Sequence, residues 1–132
     1  MSDDITYQIG RLKLRIDRLY NEENEIYEQR RVAVQELVDL LAVSYPIARI
    51  ADIPEVKRVV IDVETMYDST EILARITLIV SRIADRRAYA HLAYTDRIRD
   101  QANMYLNDQY ARGIREHIWI HIREEPDEDA VQ

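Results

Sequence analysis

The chain has 132 residues, of which 47% are hydrophobic and 33% charged, with a formal charge of -7; this length suits one domain with a real core. It has no cysteine, which excludes a disulfide framework, a thiolate metal site and a cysteine nucleophile. Only two glycines and three prolines punctuate it, few for an all-β or α/β fold of this size. The sequence therefore predicts an all-α fold: a helical bundle of about four helices with one long N-terminal helix, oligomeric, occupying 1–123 as a single domain, with 124–132 as an acidic disordered tail.

The first predicted element runs from Asp3 to Leu41. Ile5, Leu12, Leu19, Ile26, Ala33 and Leu40 recur every seven residues, with Ile9, Ile16 and Leu37 at the companion position and Glu23 and Arg30 as polar exceptions. The heptad reads as a coiled-coil seam, so Ile5, Ile9, Leu12, Ile16, Leu19, Glu23, Ile26 and Arg30 are the predicted interface of a homodimer or higher oligomer. Antiparallel pairing about Ile26 would set Glu23 opposite the partner's Arg30. One continuous helix of this length would span about 60 Å, against a diameter of about 36 Å for a chain of this size. Either it breaks near Asn21 to Asn24, or part of it projects toward a partner. Arg11, Lys13, Arg15 and Arg18 surround the narrow stripe of its first half.

Residues 42–53 form a connection around Pro46. A second helix is predicted from Pro54 to Tyr67, with Val56, Val59, Val60, Val63 and Tyr67 on one face; the β-branched residues also allow a strand there. Asp68 and Glu71 have capping-box spacing at the start of a third helix striped by Ile72, Ile76, Ile79, Val80 and Ile83. A fourth begins near Thr95 or Asp96 and carries Ile98, Ala102, Tyr105, Leu106, Tyr110 and Ile114, and the two read equally as one. Ile118 to Ile122 alternates with period two yet continues the helical positions Ile114, Ile118 and Ile122, and helix is the preferred reading.

Glu124, Glu125, Asp127, Glu128 and Asp129 supply five of the negative charges, leaving the body almost neutral, so nucleic acid is not an expected partner. The most apolar run, Ile72 to Ile83, is interrupted by Arg75 and Arg82 and is shorter than the roughly 20 residues of a membrane span. With an acidic start at Ser2, Asp3 and Asp4 and no secretory pattern, a cytoplasmic location is expected, or the host cytoplasm or virion for a viral protein.

Three patterns bear on chemistry. Arg-x4-His occurs as Arg112 to His117 and as Arg86 to His91. This resembles the signature of the HEPN family, all-α bundles many of which are metal-independent ribonucleases; the resemblance implies Arg112 as phosphate ligand and His117 as proton-transfer residue. His117 and His121, with Glu124 or Glu125 beyond, have the spacing of a helical zinc site. The run from Leu12 to Arg30 is similar to the first helix of AroQ-type chorismate mutases, which implies Lys13 and Arg30 as ligands of a dianion. The preferred reading is non-enzymatic: a self-associating structural or adaptor protein that works through protein-protein contacts, with no catalytic residue, metal or cofactor. The HEPN-like ribonuclease is the alternative.

Overall fold

A computed structural model describes residues 2–20, 27–65 and 71–125. Its elements in chain order are α1 (Ser2–Tyr20), α2 (Tyr27–Ala42), α3 (Tyr45–Ala51), β1 (Val56–Thr65), β2 (Ile72–Ser81), α4 (Ala88–Gln109), α5 (Arg112–Arg115) and β3 (Ile118–Glu125). The all-α bundle is therefore overturned: a three-stranded sheet of order β1-β2-β3 lies among the helices, with β1 and β2 antiparallel and β2 and β3 parallel.

β1 explains why its sequence reads as a helix. Val56 pairs with Val80 and Arg58 already pairs with Ile79, so a bulge inserts one residue between Val56 and Arg58. Side chains alternate along a strand, and an extra residue shifts the parity. The inward residues become Val56, Val59, Ile61 and Val63, and the first step mimics the three-residue spacing of a helix. The β-branched side chains then decide the matter in favour of extended backbone.

β2 misleads differently. As the central strand it is buried on both faces from Ile76 to Val80, and such strands lose the alternation that marks half-buried ones. The capping reading at Asp68 falls on residues outside those described, and Glu71 directly precedes β2. The period-two reading of Ile118 to Ile122 is the correct one, because β3 occupies those positions. β3 also includes Glu124 and Glu125, the first two acids of the predicted tail.

The long first helix is likewise corrected to a pair. Arg15 of α1 bridges Glu36 of α2 at 3.2 Å, and Gln8 and Leu40 line the same groove, so the two helices run antiparallel. The heptad stripe closes this hairpin inside one subunit. Ile9, Leu12, Ile16 and Leu19 of α1 pack with Ala33, Val34, Leu37, Val38 and Leu41 of α2 in a single core.

α2 lies on β1 and β2, α3 on β1 and α4, and α4 on β3. All these helices join one apolar cluster with the inward face of the sheet, namely Ile72, Ala74, Ile76, Leu78 and Val80 of β2 and their neighbours Ile118 and Ile120. Ile98, Ala102 and Leu106 of α4 join them at four-residue spacing. α4 begins at Ala88, earlier than the predicted fourth helix, and runs unbroken through Thr95. With α5 it forms the crossover that parallel neighbours require. Gly113 lies within α5, where an added Cβ would run into the far end of the Lys13 side chain; the bare backbone lets α1 and α5 approach.

Candidate functional site

Among the described residues no helix packs on the face of the sheet opposite α2, α3 and α4. By alternation and register it carries Val60 and Thr77 side by side at its centre, with His121 next to Thr77. Trp119 sits beside Arg75, and Arg58 and Arg123 flank Ile79. Trp119 is 38% exposed and Val60 40%. Ile79 is buried, yet it does not belong to the core cluster, consistent with cover from the long side chains of its strand neighbours. Trp119 and His121 are in ring contact, with centroids 5.4 Å apart.

Charge is divided along this face. At the end where β2 begins, Arg75 bonds Asp62 at 2.8 Å and Glu64 at 2.7 Å, two carboxylates on one guanidinium. The hydrogen bonds that Arg75 donates to Asp62 chiefly hold its guanidinium above the ordinary value, against the opposing effect of burial. At the other end Glu125 is approached by Arg123 at 2.9 Å and Arg58 at 3.5 Å, two guanidiniums on one carboxylate. One end is net negative and the other net positive.

A second surface feature lies on the helical side. Arg11, Arg15 and Arg18 of α1, with Leu12, Leu14 and Leu40, line an open groove of about 600 Å³. Arg15 is paired with Glu36, whereas Arg11 and Arg18 have no ion pair among the described residues, and Leu14 is 66% exposed.

The residues singled out from sequence are distributed otherwise. Ile9, Leu12, Ile16 and Leu19 are spent in the core, Ile5 is half-buried, and Arg30 is buried with its guanidinium 5.8 Å from the Tyr27 ring. Glu23 and Ile26 lie outside the described residues. Arg112 is exposed at the start of α5, whereas His117 is buried and its Nε2 lies 3.1 Å from Asp17 of α1. Lys13 bridges the same Asp17 at 3.0 Å. Burial pushes the Asp17 carboxyl up, but hydrogen bonds and charge from Lys13 and His117 outweigh it and hold it below its usual range. This set ties α1 to the strand-entry turn before β3, so Lys13 faces Asp17 and not a dianion cavity. The HEPN-like reading also loses the all-α scaffold that the resemblance implies.

The other Arg-x4-His pair, Arg86 and His91, lines a cleft of about 620 Å³ with Asp85, Leu92 and Glu124. His91 Nδ1 lies 3.1 Å from a Glu124 oxygen, fastening the start of α4 to the end of β3. His117, in the turn before β3, engages Asp17 on the helical side, whereas His121 lies on the opposite face of the strand, so the pair does not have the helical geometry of the predicted zinc site. Among the described residues no three potential ligands converge on a metal position, and no helix is long and apolar enough to cross a membrane.

The chain matches no family model, and neither a curated protein nor a solved structure matches it. The class is set by architecture alone: a mixed α/β domain with its helices on one side of a small sheet and, among the described residues, no element packed on the other side.

Proposed function

We propose that this chain is a non-enzymatic, self-associating structural or adaptor protein and that the bare sheet face is its contact surface. The observation that carries the reading is the exposed Trp119 on an uncovered, self-complementary face. A sheet face that carries apolar side chains is stabilised by burial against another element, and tryptophan is among the residues enriched at interaction surfaces and their hot spots.

The charge pattern favours a second copy as the occupant. Stacking two copies about a two-fold axis that lies in the interface, perpendicular to the strands, sets the net negative end of each face on the net positive end of the other. In that arrangement Asp62 faces the partner's Arg58, and Trp119 lies over the partner's Arg123, an arrangement that permits cation-π contact. Val60, Thr77 and His121 meet their own counterparts at the centre. This contact replaces the helical seam as the proposed interface, because Ile9, Leu12, Ile16 and Leu19 of that seam are committed to the core of the subunit.

Sedimentation equilibrium tests the reading. The chain should dimerise at micromolar concentration, and Trp119→Thr should shift it toward monomer by at least about tenfold in dissociation constant, the cost of about 1.4 kcal/mol at a hot spot. A monomeric wild-type chain, or a variant that dimerises equally well, overturns it.

A further inference from the structure

The cleft shared by Arg86 and His91 lies outside the carboxyl ends of the two parallel strands. β2 ends at Ser81, whose register partner Glu125 ends β3. The connection after β2 supplies Ile83, Asp85 and Arg86, the opening turns of α4 supply His91 and Leu92, and β3 supplies Glu124. Parallel strands commonly hold ligands in this crevice, because the chain leaving a strand end meets the amino end of the crossover helix there. Its volume of about 620 Å³ falls in the range of small-molecule sites.

The charges that line it are matched except at one residue. Asp85 accepts hydrogen bonds from the Arg87 backbone N–H at 3.0 Å and from Arg87 Nε at 2.9 Å. Glu124 is turned to His91 Nδ1, and its other oxygen is buried without a hydrogen-bond partner among the described residues. Arg86 is exposed and has no ion pair among the described residues. Its guanidinium is therefore the open donor of the cleft, a fork of N–H groups suited to two oxygens of one anion. His91 adds a second polar contact. A proton on Nδ1 is held by Glu124, so Nε2 is the ring nitrogen left to a ligand, and it can accept a hydrogen bond from the P–O–H that a phosphate monoester keeps at about pH 6. Sulfate esters and carboxylates carry no such proton there.

We infer that this cleft binds the phosphate group of a small organic phosphate, with Arg86 on its oxygens and His91 on its proton. Leu92, 58% exposed, and Ile83 border the organic part. Ala88 opens α4 and lines the cleft, adding first-turn amides that have no acceptor within the helix. The site does not depend on the sheet-face contact. Glu124 shares the parity of Ile118 and Ile120, which face the core, so the cleft belongs to the helical side of a single subunit.

The test uses the full-length chain and phenyl phosphate at about pH 6, read by the ring C–H signals of the three histidines in two-dimensional NMR. The His91 signals should shift saturably, while those of His117 and His121 stay in place. Phenyl sulfate has the same shape without the proton, and it should bind at least about tenfold more weakly, the loss of one hydrogen bond to a charged group. Arg86→Gln should weaken phenyl phosphate by at least about tenfold for the same reason. Arg112→Gln removes an exposed arginine near the opposite end of β3, and it should leave the affinity unchanged. Absence of a saturable shift at His91, equal binding of phenyl sulfate, undiminished binding by Arg86→Gln, or an equal loss in Arg112→Gln overturns the inference. If circular dichroism shows that Arg86→Gln does not fold, the contrast between the two probes on the wild-type chain decides alone. A chain that proves monomeric should still bind phenyl phosphate, so failure of the sheet-face reading and failure of this site are separate results.

Discussion

The two faces of the sheet are built from the same strands yet are occupied differently. On the helix-covered face Ile72, Ala74, Ile76, Leu78 and Val80 of β2 are all buried, beneath α2 and in one apolar cluster with residues of α3 and α4. On the bare face the same strand offers Arg75, Thr77 and Ile79, with Trp119, Val60 and two oppositely charged ends around them. The covered face holds the fold together. The bare face carries features a stable monomer does not need: an exposed tryptophan and a charge division that is complementary to itself.

Ile76 and Ile79 put a number on that difference, since both are buried but face opposite ways. Ile76→Ala should cost about 3 kcal/mol by urea denaturation, because it opens a cavity among fixed helices. Its folded fraction should still associate. Ile79→Ala should cost about half as much, about 1.5 kcal/mol, because the flexible stems of Arg58 and Arg123 can settle into the space, and it should weaken association. Equal costs with no effect of Ile79→Ala on association would erase the distinction between the faces.

A smaller effect belongs to the covered side. Asp17 joins Lys13 and His117, and Asp17→Asn should cost about 0.5–1 kcal/mol near neutral pH, discounted for the exposure of the carboxylate. The sign with pH follows from the lowered value of Asp17 in the folded chain. Its contribution is present above the ordinary carboxylate value of 3.8 and is lost as pH falls through the lower folded value. Thermal melts of wild type and variant should therefore converge in acid. A difference that persists to the lowest pH would show that Asp17 does not act through its charge. Smaller still is the effect of Gly113→Ala, about a few tenths of a kcal/mol in the same melts, since the far end of Lys13 can move aside. A loss above about 1 kcal/mol would mean that α5 cannot tolerate the displacement.

Much of the helical part was legible. The stripe of Ile9, Leu12, Ile16 and Leu19, the face of Leu37 and Leu41, and the run Ile98, Ala102 and Leu106 all bury as their spacing predicts. The heptad could not say that the partner of α1 is α2 of the same chain, since a seam looks alike whichever helix fills it. The sheet was hidden by three separate causes: the bulge that gives Val56 and Val59 a helical step, the two-sided burial of β2, and a β1-β2 connection at 66–70 without the glycine of a tight hairpin. The alternation of Ile118, Trp119, Ile120 and His121 was the visible clue to both sheet and surface. It was outweighed by the coincident helical positions of Ile114, Ile118 and Ile122.

The sole tryptophan in the chain lies on the bare face, and this gives the central claim a direct optical readout. The measurement is the emission maximum and acrylamide quenching of Trp119 as the chain is diluted across its association range. The account predicts a blue-shifted, protected indole in the dimer that becomes red-shifted and quenchable on dilution, with a midpoint equal to the dissociation constant from sedimentation. An indole equally exposed at every concentration while the chain still dimerises would place the interface elsewhere and contradict the account.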